Sequence, residues 1–210
     1  MVLIYGFSQS TCTRRVAVVC KELNIPYEIK QLGMDDIKAK EFLETKQPFG
    51  QIPVLEDDGF ILYESRAIAR YLTLKYGKGS SLLPPTSNLQ ATARFEVAAS
   101  NEQSNFDPSA SAIVFEKIFK AYRGLTTDEK RVEELTAQLN GKLDGYERIL
   151  SKSKYLAGDH VTLADLFHLP YAYMLENACK SDILQQRPNV ARWWKDISSR
   201  PSWQAVKDGA

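Results

Sequence analysis

The sequence predicts two architectures in series: an α/β segment ordered βαβαββα, then an all-α segment. From Val2 to Tyr76, short apolar runs of strand character alternate with runs of helical period. From Gly77 to Asn88 the stretch GKGSSLLPPTSN is rich in Gly, Ser and Pro, which is the composition of a linker. Beyond Asn88 apolar residues recur at helical spacing, with no convincing strand among them.

Each element has its own local reason. VLIY (Val2–Tyr5) is a short apolar strand, and TRRVAVVCKEL (Thr13–Leu23) follows it with helical period. YEIKQL (Tyr27–Leu32) reads as a second strand and KAKEFLET (Lys38–Thr45) as a second helix. IPVLED and FILYE flank Asp58-Gly59, a pair that suits a two-residue hairpin because its turn needs positive φ. RAIARYLTLKY (Arg66–Tyr76) closes the segment as a helix. Helices are then expected from about Leu89 to Tyr122, Asp128 to Leu150, Leu163 to Ala178 and Pro188 to Ser199. Thr162 followed by Asp165 resembles a capping box, with Val161 placed to staple onto Leu166. That device starts a buried helix and carries no chemistry.

Composition excludes several functions. Of the 210 residues 44% are hydrophobic, enough for a sizeable core, and a net charge of +1 offers no footprint for nucleic acid or a membrane surface. No apolar stretch reaches the ~18 residues of a membrane span, and the N-terminus enters a strand without a signal-peptide pattern. A cytoplasmic protein is expected. The three cysteines, Cys12, Cys20 and Cys179, form no CxxC pair, and with only His160 and His168 beside them no metal site is expected.

The candidate chemistry begins in YGFSQSTCTRRVAVV, Tyr5 to Val19. A strand, a short loop and a helix from about Thr11 put Ser10 at or near an N-cap, where first-turn amides and the helix dipole favour an anion. A plain helix cap is the alternative. Further on, Pro53 holds Ile52 extended, so that Ile52 is placed to pair with an extended peptide. Glu64-Ser65 opens another helix: its amides suit a carboxylate, and Glu64 suits an amino group. Taken singly each is ordinary, but together they fit a short peptide carrying both a thiol and a carboxylate.

These segments carry a family resemblance. In their order, STCTRRV, QPFGQIPVLEDDGFILYESRAIARYL, NFDPSASAIVFEKIFKAYRGLTTDE and KYLAGDHVTLADLFHLP resemble the phi class of glutathione S-transferases, from near residue 2 to about residue 205. The resemblance implies a thioredoxin-like glutathione-binding domain over residues 1–77, a linker over 78–88 and an all-α domain over 89–210. It also implies a homodimer that uses glutathione as co-substrate, with a small hydrophobic electrophile or an organic hydroperoxide as its partner, in detoxification. A non-catalytic ligand-binding protein of the same fold is the alternative.

Carried over residue by residue, Ser10 is implied to donate to the glutathione sulfur. Gln51, Ile52 and Pro53, the last as a cis-proline, grip the peptide backbone, and Glu64 and Ser65 hold the γ-glutamyl end. Lys38 falls where a His-Lys pair meets the glycyl carboxylate, with Ile37 in place of the histidine. Phe7, Met34, Phe106, Phe115 and Phe119 are the candidates for the electrophile pocket, which in the family lies between the domains. Arg14 and Arg15 read as a solvated or ion-paired face. Cys12, about 200° around the helix from Ser10, is expected to face away from the site and to be buried.

The task set for Ser10 has a size. Lowering a thiol from ~8.5 by about two units takes roughly 2.7 kcal/mol. A helix terminus supplies ~0.3–1 kcal/mol, up to ~2 when partly buried. A hydroxyl donating to the sulfur anion adds about 1.5–3 kcal/mol, so the serine and the helix together suffice.

Overall fold

Strand β1 (Val2–Gly6) sits at the centre of a four-stranded sheet of order β2-β1-β3-β4. It pairs in parallel with β2 (Tyr27–Gln31) and antiparallel with β3 (Val54–Asp57), and β3 pairs antiparallel with β4 (Phe60–Tyr63). Parallel neighbours require a crossover, and α1 (Thr11–Glu22) supplies it. After β2 a short 3₁₀ turn at Asp36–Lys38 leads into α2 (Lys40–Thr45), and α3 (Ser65–Tyr76) follows β4. The hairpin between β3 and β4 turns on Asp58 and Gly59, both at positive φ, 51° and 83°.

The computed structural model describes all 210 residues. They form two compact units: Met1–Leu83 together with Arg200–Ala210, and Pro84–Ser199. The last eleven residues, Arg200–Ala210, thus group with the α/β part of the chain. The segment Arg200–Ala210, which includes the single-turn α11 (Pro201–Gln204), packs against α1. Trp203 is fully buried, and Arg200 makes a bidentate pair with Glu22, Nε to Oε1 at 2.6 Å and Nη2 to Oε2 at 2.8 Å. Burial alone would push the Glu22 carboxyl up, but the bonds from Arg200 and Ser202 outweigh it and hold the group below its ordinary value.

α1 and α3 pack together, with Val16, Ala17 and Val18 on one helix and Ile68, Ala69 and Leu72 on the other withdrawn from solvent. At the end of β3 the Asp57 carboxylate, 1% exposed, accepts from the Tyr71 and Tyr76 hydroxyls, each at 2.8 Å, and from Lys75 Nζ at 2.7 Å. Burial would raise this carboxyl, and Lys75 and the two phenols together hold it below its ordinary value. Asp57→Asn is expected to cost about 1–2 kcal/mol at neutral pH. Because folding depresses the Asp57 value from ~3.9, its contribution is complete above that pH and vanishes as pH falls through the folded value. Urea midpoints of the wild type and Asp57→Asn should differ at pH 7 and converge as the pH falls through the depressed folded value of Asp57.

In the second unit the helix expected from Leu89 to Tyr122 is one helical path with two widened turns. α4 (Leu89–Asn101), α5 (Asp107–Val114) and α6 (Lys120–Tyr122) are joined by i→i+5 turns over Glu102–Phe106 and Phe115–Phe119. Pro108 lacks the N–H that an unbroken helix would use there, which accounts for the first widening. α7 (Glu129–Leu150) opens on Asp128, whose side chain accepts from Arg131 N at 3.0 Å. The helix expected over Leu163–Ala178 divides into α8 (Leu163–Leu166) and α9 (Leu169–Asn177), with Pro170 in the first turn of α9. α10 (Pro188–Ser198) completes the unit.

The capping box is present. Thr162 N donates to Asp165 Oδ2 at 2.9 Å, and the fully buried Asp165 carboxylate also accepts from Thr162 Oγ1, Leu156 N and Trp193 Nε1 at 3.0, 3.0 and 2.9 Å. No helix is long and apolar enough to cross a membrane.

Candidate functional site

The site lies in the first unit, where α1 and α3 begin. Ser10 is the N-cap of α1, with extended backbone (φ −63°, ψ 131°), and its Oγ accepts from Thr13 N at 3.4 Å. A hydroxyl that accepts from the helix still has its own proton to donate. α3 opens differently. Glu64 precedes it at φ 71° and ψ 105°, rare for a residue with a side chain, and no side chain caps its first turn. Such strain costs about 1–3 kcal/mol and persists where surrounding structure imposes it, often at ligand sites. Neither helix carries an acidic residue in its first turn, so both present uncompensated positive ends.

Between these helices is a cavity of about 80 Å³, lined by Gln51, Ile52, Pro53, Glu64 and Ser65 with Cys12, Gln47 and Arg66. The Ile52–Pro53 peptide bond is cis. The turn leading to Gln51 needs Gly50, which stands at φ 60° and where a Cβ would lie 2.8 Å from the Ile37 carbonyl. Gln47 shapes the same turn: its Oε1 accepts from Phe49 N at 2.6 Å and Gln51 N at 3.2 Å. Beneath the cavity Arg15, 1% exposed, links the two helix mouths, its Nη1 lying 3.1 Å from Ser65 Oγ and 3.5 Å from Cys12 Sγ. A buried guanidinium under two helix N-termini makes this an anion-favouring site with carboxylate and amide groups at its rim.

Known proteins resemble this chain over nearly its whole length. The model of the glutathione S-transferase N-terminal domain matches residues 4–81, and that of the C-terminal domain matches residues 106–201. A glutathione S-transferase of Arabidopsis thaliana is 50% identical, over 92% of this chain and 89% of the relative. This chain belongs to the glutathione S-transferase family. Its class is phi: the crystal structure of glutathione transferase F7 from Populus trichocarpa superposes with a TM-score of 0.92 at 38% identity, covering 98% of this chain and 97% of that one. Glutathione S-transferase I from mais, solved in complex with an atrazine glutathione conjugate, gives a TM-score of 0.91 at 34% identity, covering 98% and 96%.

Within this transferase the structure brings together Gln51, Ile52, Pro53, Glu64 and Ser65 around one cavity. Ser10 stands at the mouth of α1, outside that lining. Lys38 is exposed, with Nζ 3.5 Å from the Gly50 carbonyl, just before Gln51. Ile37 is buried in a cluster with Tyr5, Phe42 and Val54.

Two expectations are corrected. Cys12 is half-buried and lines the cavity. The rotation of 100° per residue starts only where the backbone is helical, and Ser10, as an extended N-cap, stands outside it. Arg14 and Arg15 form no solvated face: they are buried, at 6% and 1% exposure, because α1 is covered on nearly every side by neighbouring elements. Phe106 is 1% exposed and packs on His168 and Tyr146, ring centroids 4.7 and 6.4 Å away, among the core residues of the second unit.

Of the other apolar candidates, Met34 is exposed, and Phe7, Phe115 and Phe119 are half-buried. The Arg123 guanidinium lies 5.3 Å from the Phe115 ring centroid. Sequence reasoning missed Gln47, Arg66 and the bridging role of Arg15. Only Gln47 had a local signal, an amide side chain ahead of a Pro-Phe-Gly turn, where it satisfies backbone donors two and four residues on.

Proposed function

We propose that this transferase holds glutathione by its γ-glutamyl end at Glu64 and Ser65 and by its backbone along Gln51, Ile52 and Pro53, with the sulfur at Ser10. The observation that carries this is the cavity that gathers those five residues at the uncapped start of α3, over the buried Arg15. The glutathione carboxylate meets the amides of α3, its amino group meets the Glu64 carboxylate, and Lys38 reaches the glycyl end. The Ser10 hydroxyl donates to the sulfur and holds it as thiolate, which attacks a hydrophobic electrophile. The mais relative, solved with an atrazine glutathione conjugate, supports an aromatic electrophile. Phe7 and Met34, in the same unit as Ser10, retain open apolar surface for such contacts.

The same thiolate can attack an organic hydroperoxide, so that two glutathione molecules and the peroxide yield the alcohol, water and glutathione disulfide. The working form is a homodimer in the cytoplasm, serving detoxification.

Initial rates with a chlorinated nitroaromatic test this reading. Glu64→Ala should raise KM for glutathione roughly ten-fold or more, the loss of one charge-assisted contact, with a smaller change in kcat. Glutathione binding without turnover of any electrophile would instead identify a ligand-binding protein.

A further inference from the structure

We propose that the segment Val206–Ala210, anchored by Arg14, is a positioning strap for the proposed reaction: it holds the loop Phe7–Gln9 and, through it, the Ser10 hydroxyl. This rests on the sulfur-binding role of Ser10 given above.

The loop before α1 is short and fixed at several points. Ser10 N donates to the Phe7 carbonyl at 3.0 Å, which closes the turn, and Ser8 N reaches Gln31 Oε1 at 3.3 Å. The opposite side of Ser8 belongs to the strap. The Ser8 carbonyl accepts from Ala210 N at 3.0 Å, and Gly209 lies so close that a Cβ there would be 2.9 Å from Ser8 Oγ.

The other end of the strap is tied to α1. The Arg14 guanidinium donates to the Lys207 carbonyl and lies 6.0 Å from the Trp203 ring centroid. Val206 and Trp203 are buried, at 1% and 0% exposure. One short segment therefore attaches two residues before Ser10 and four residues after it, and the catalytic hydroxyl lies within the bracket. The serine Oγ is one bond beyond Cβ, so the backbone decides where it can point. A displacement of about 1 Å at a reacting group can cost up to ~100-fold in rate. The γ-glutamyl grip is built on the start of α3, a different helix from the one Ser10 caps, so glutathione binding should be far less sensitive than turnover.

The test uses the full chain, a deletion of residues 207–210, and Gly209→Val, which places a β-branched side chain against Ser8 Oγ at a φ of 157° that side chains rarely adopt. For both variants kcat of conjugation should fall roughly ten-fold. KM for glutathione should stay within about two-fold of wild type, and the pH midpoint of the rate should rise by about one unit. Circular dichroism establishes that each variant is folded, and if the deletion does not fold, Gly209→Val decides. Folded variants that keep kcat and pH midpoint overturn the strap, as does a fall in rate with an unmoved pH profile, which is all that a merely structural role produces. Ser10→Ala is measured beside them. Full conjugation by Ser10→Ala overturns both the Ser10 reading and the strap, whereas its loss with unaffected strap variants overturns the strap alone.

Discussion

Ser10→Ala should lower kcat/KM for conjugation at pH 6.5 by roughly ten- to hundred-fold and raise the pH midpoint of the rate by one to two units. A hydroxyl in the proposed role adds about 1.5–3 kcal/mol to the thiolate form of bound glutathione, and at about 1.4 kcal/mol per factor of ten this gives the range. The sign follows from which form is favoured. In the proposed role Ser10 favours the anion and holds the bound thiol below its free value, so its loss should let that value rise. The defect is therefore largest at low pH and shrinks as the pH approaches the free thiol value near ~8.5, where glutathione ionises without help. The helix end remains in the variant, so some lowering persists.

Cys12→Ala is the necessary companion, because Cys12 faces the cavity and a cysteine in a helix's first turn can act as a nucleophile. It should change conjugation less than about three-fold, the scale of a lost packing contact in a binding cavity. A Cys12→Ala variant without activity, beside an active Ser10→Ala, transfers the chemistry from the serine to the thiol.

Asp165→Asn should destabilise the second unit by about 3–5 kcal/mol, the largest stability effect expected of any single substitution here. The carboxylate is fully buried and accepts four hydrogen bonds, from Leu156 N, Thr162 N, Thr162 Oγ1 and Trp193 Nε1. It thereby joins the loop before α8, the first turn of α8, and α10. Burial pushes its carboxyl upward, and the donors from Leu156, Thr162 and Trp193 pull against that. Asparagine keeps the shape but turns two acceptor sites into an NH₂ group that faces donors, leaving buried polar atoms unsatisfied. Urea unfolding followed by tryptophan emission reads the loss directly, since Trp193 is one of the donors. A shift below about 1 kcal/mol is inconsistent with four buried charge-assisted bonds and would falsify the assignment.

Much of the scaffold was legible because its causes are local. An N-cap, a capping box and an Asp-Gly hairpin are decided by residues at most four apart, and Ser10, Thr162 with Asp165, and Asp58-Gly59 all occupy the places expected of them. The order of strands and helices was legible for a similar reason, since periodicity reports which face of an element is apolar. What gathers around the cavity was legible only through family resemblance, because Gln51 and Glu64 come together by folding and not by spacing.

The sequence by itself determined the α/β segment followed by helices, the helix start at Ser10, the second start at Ser65 and the absence of any strong charge field. Tertiary structure alone decided that Arg15 reaches Ser65 across 50 residues, that Arg14 reaches Lys207 across 193, that Cys12 faces the cavity, and that Phe106 is core. The physical reason is range. Helix caps, turns and periodic faces are settled within a few residues of chain, whereas burial of an arginine or the packing of Arg200–Ala210 onto α1 depends on surfaces that exist only after distant segments have met.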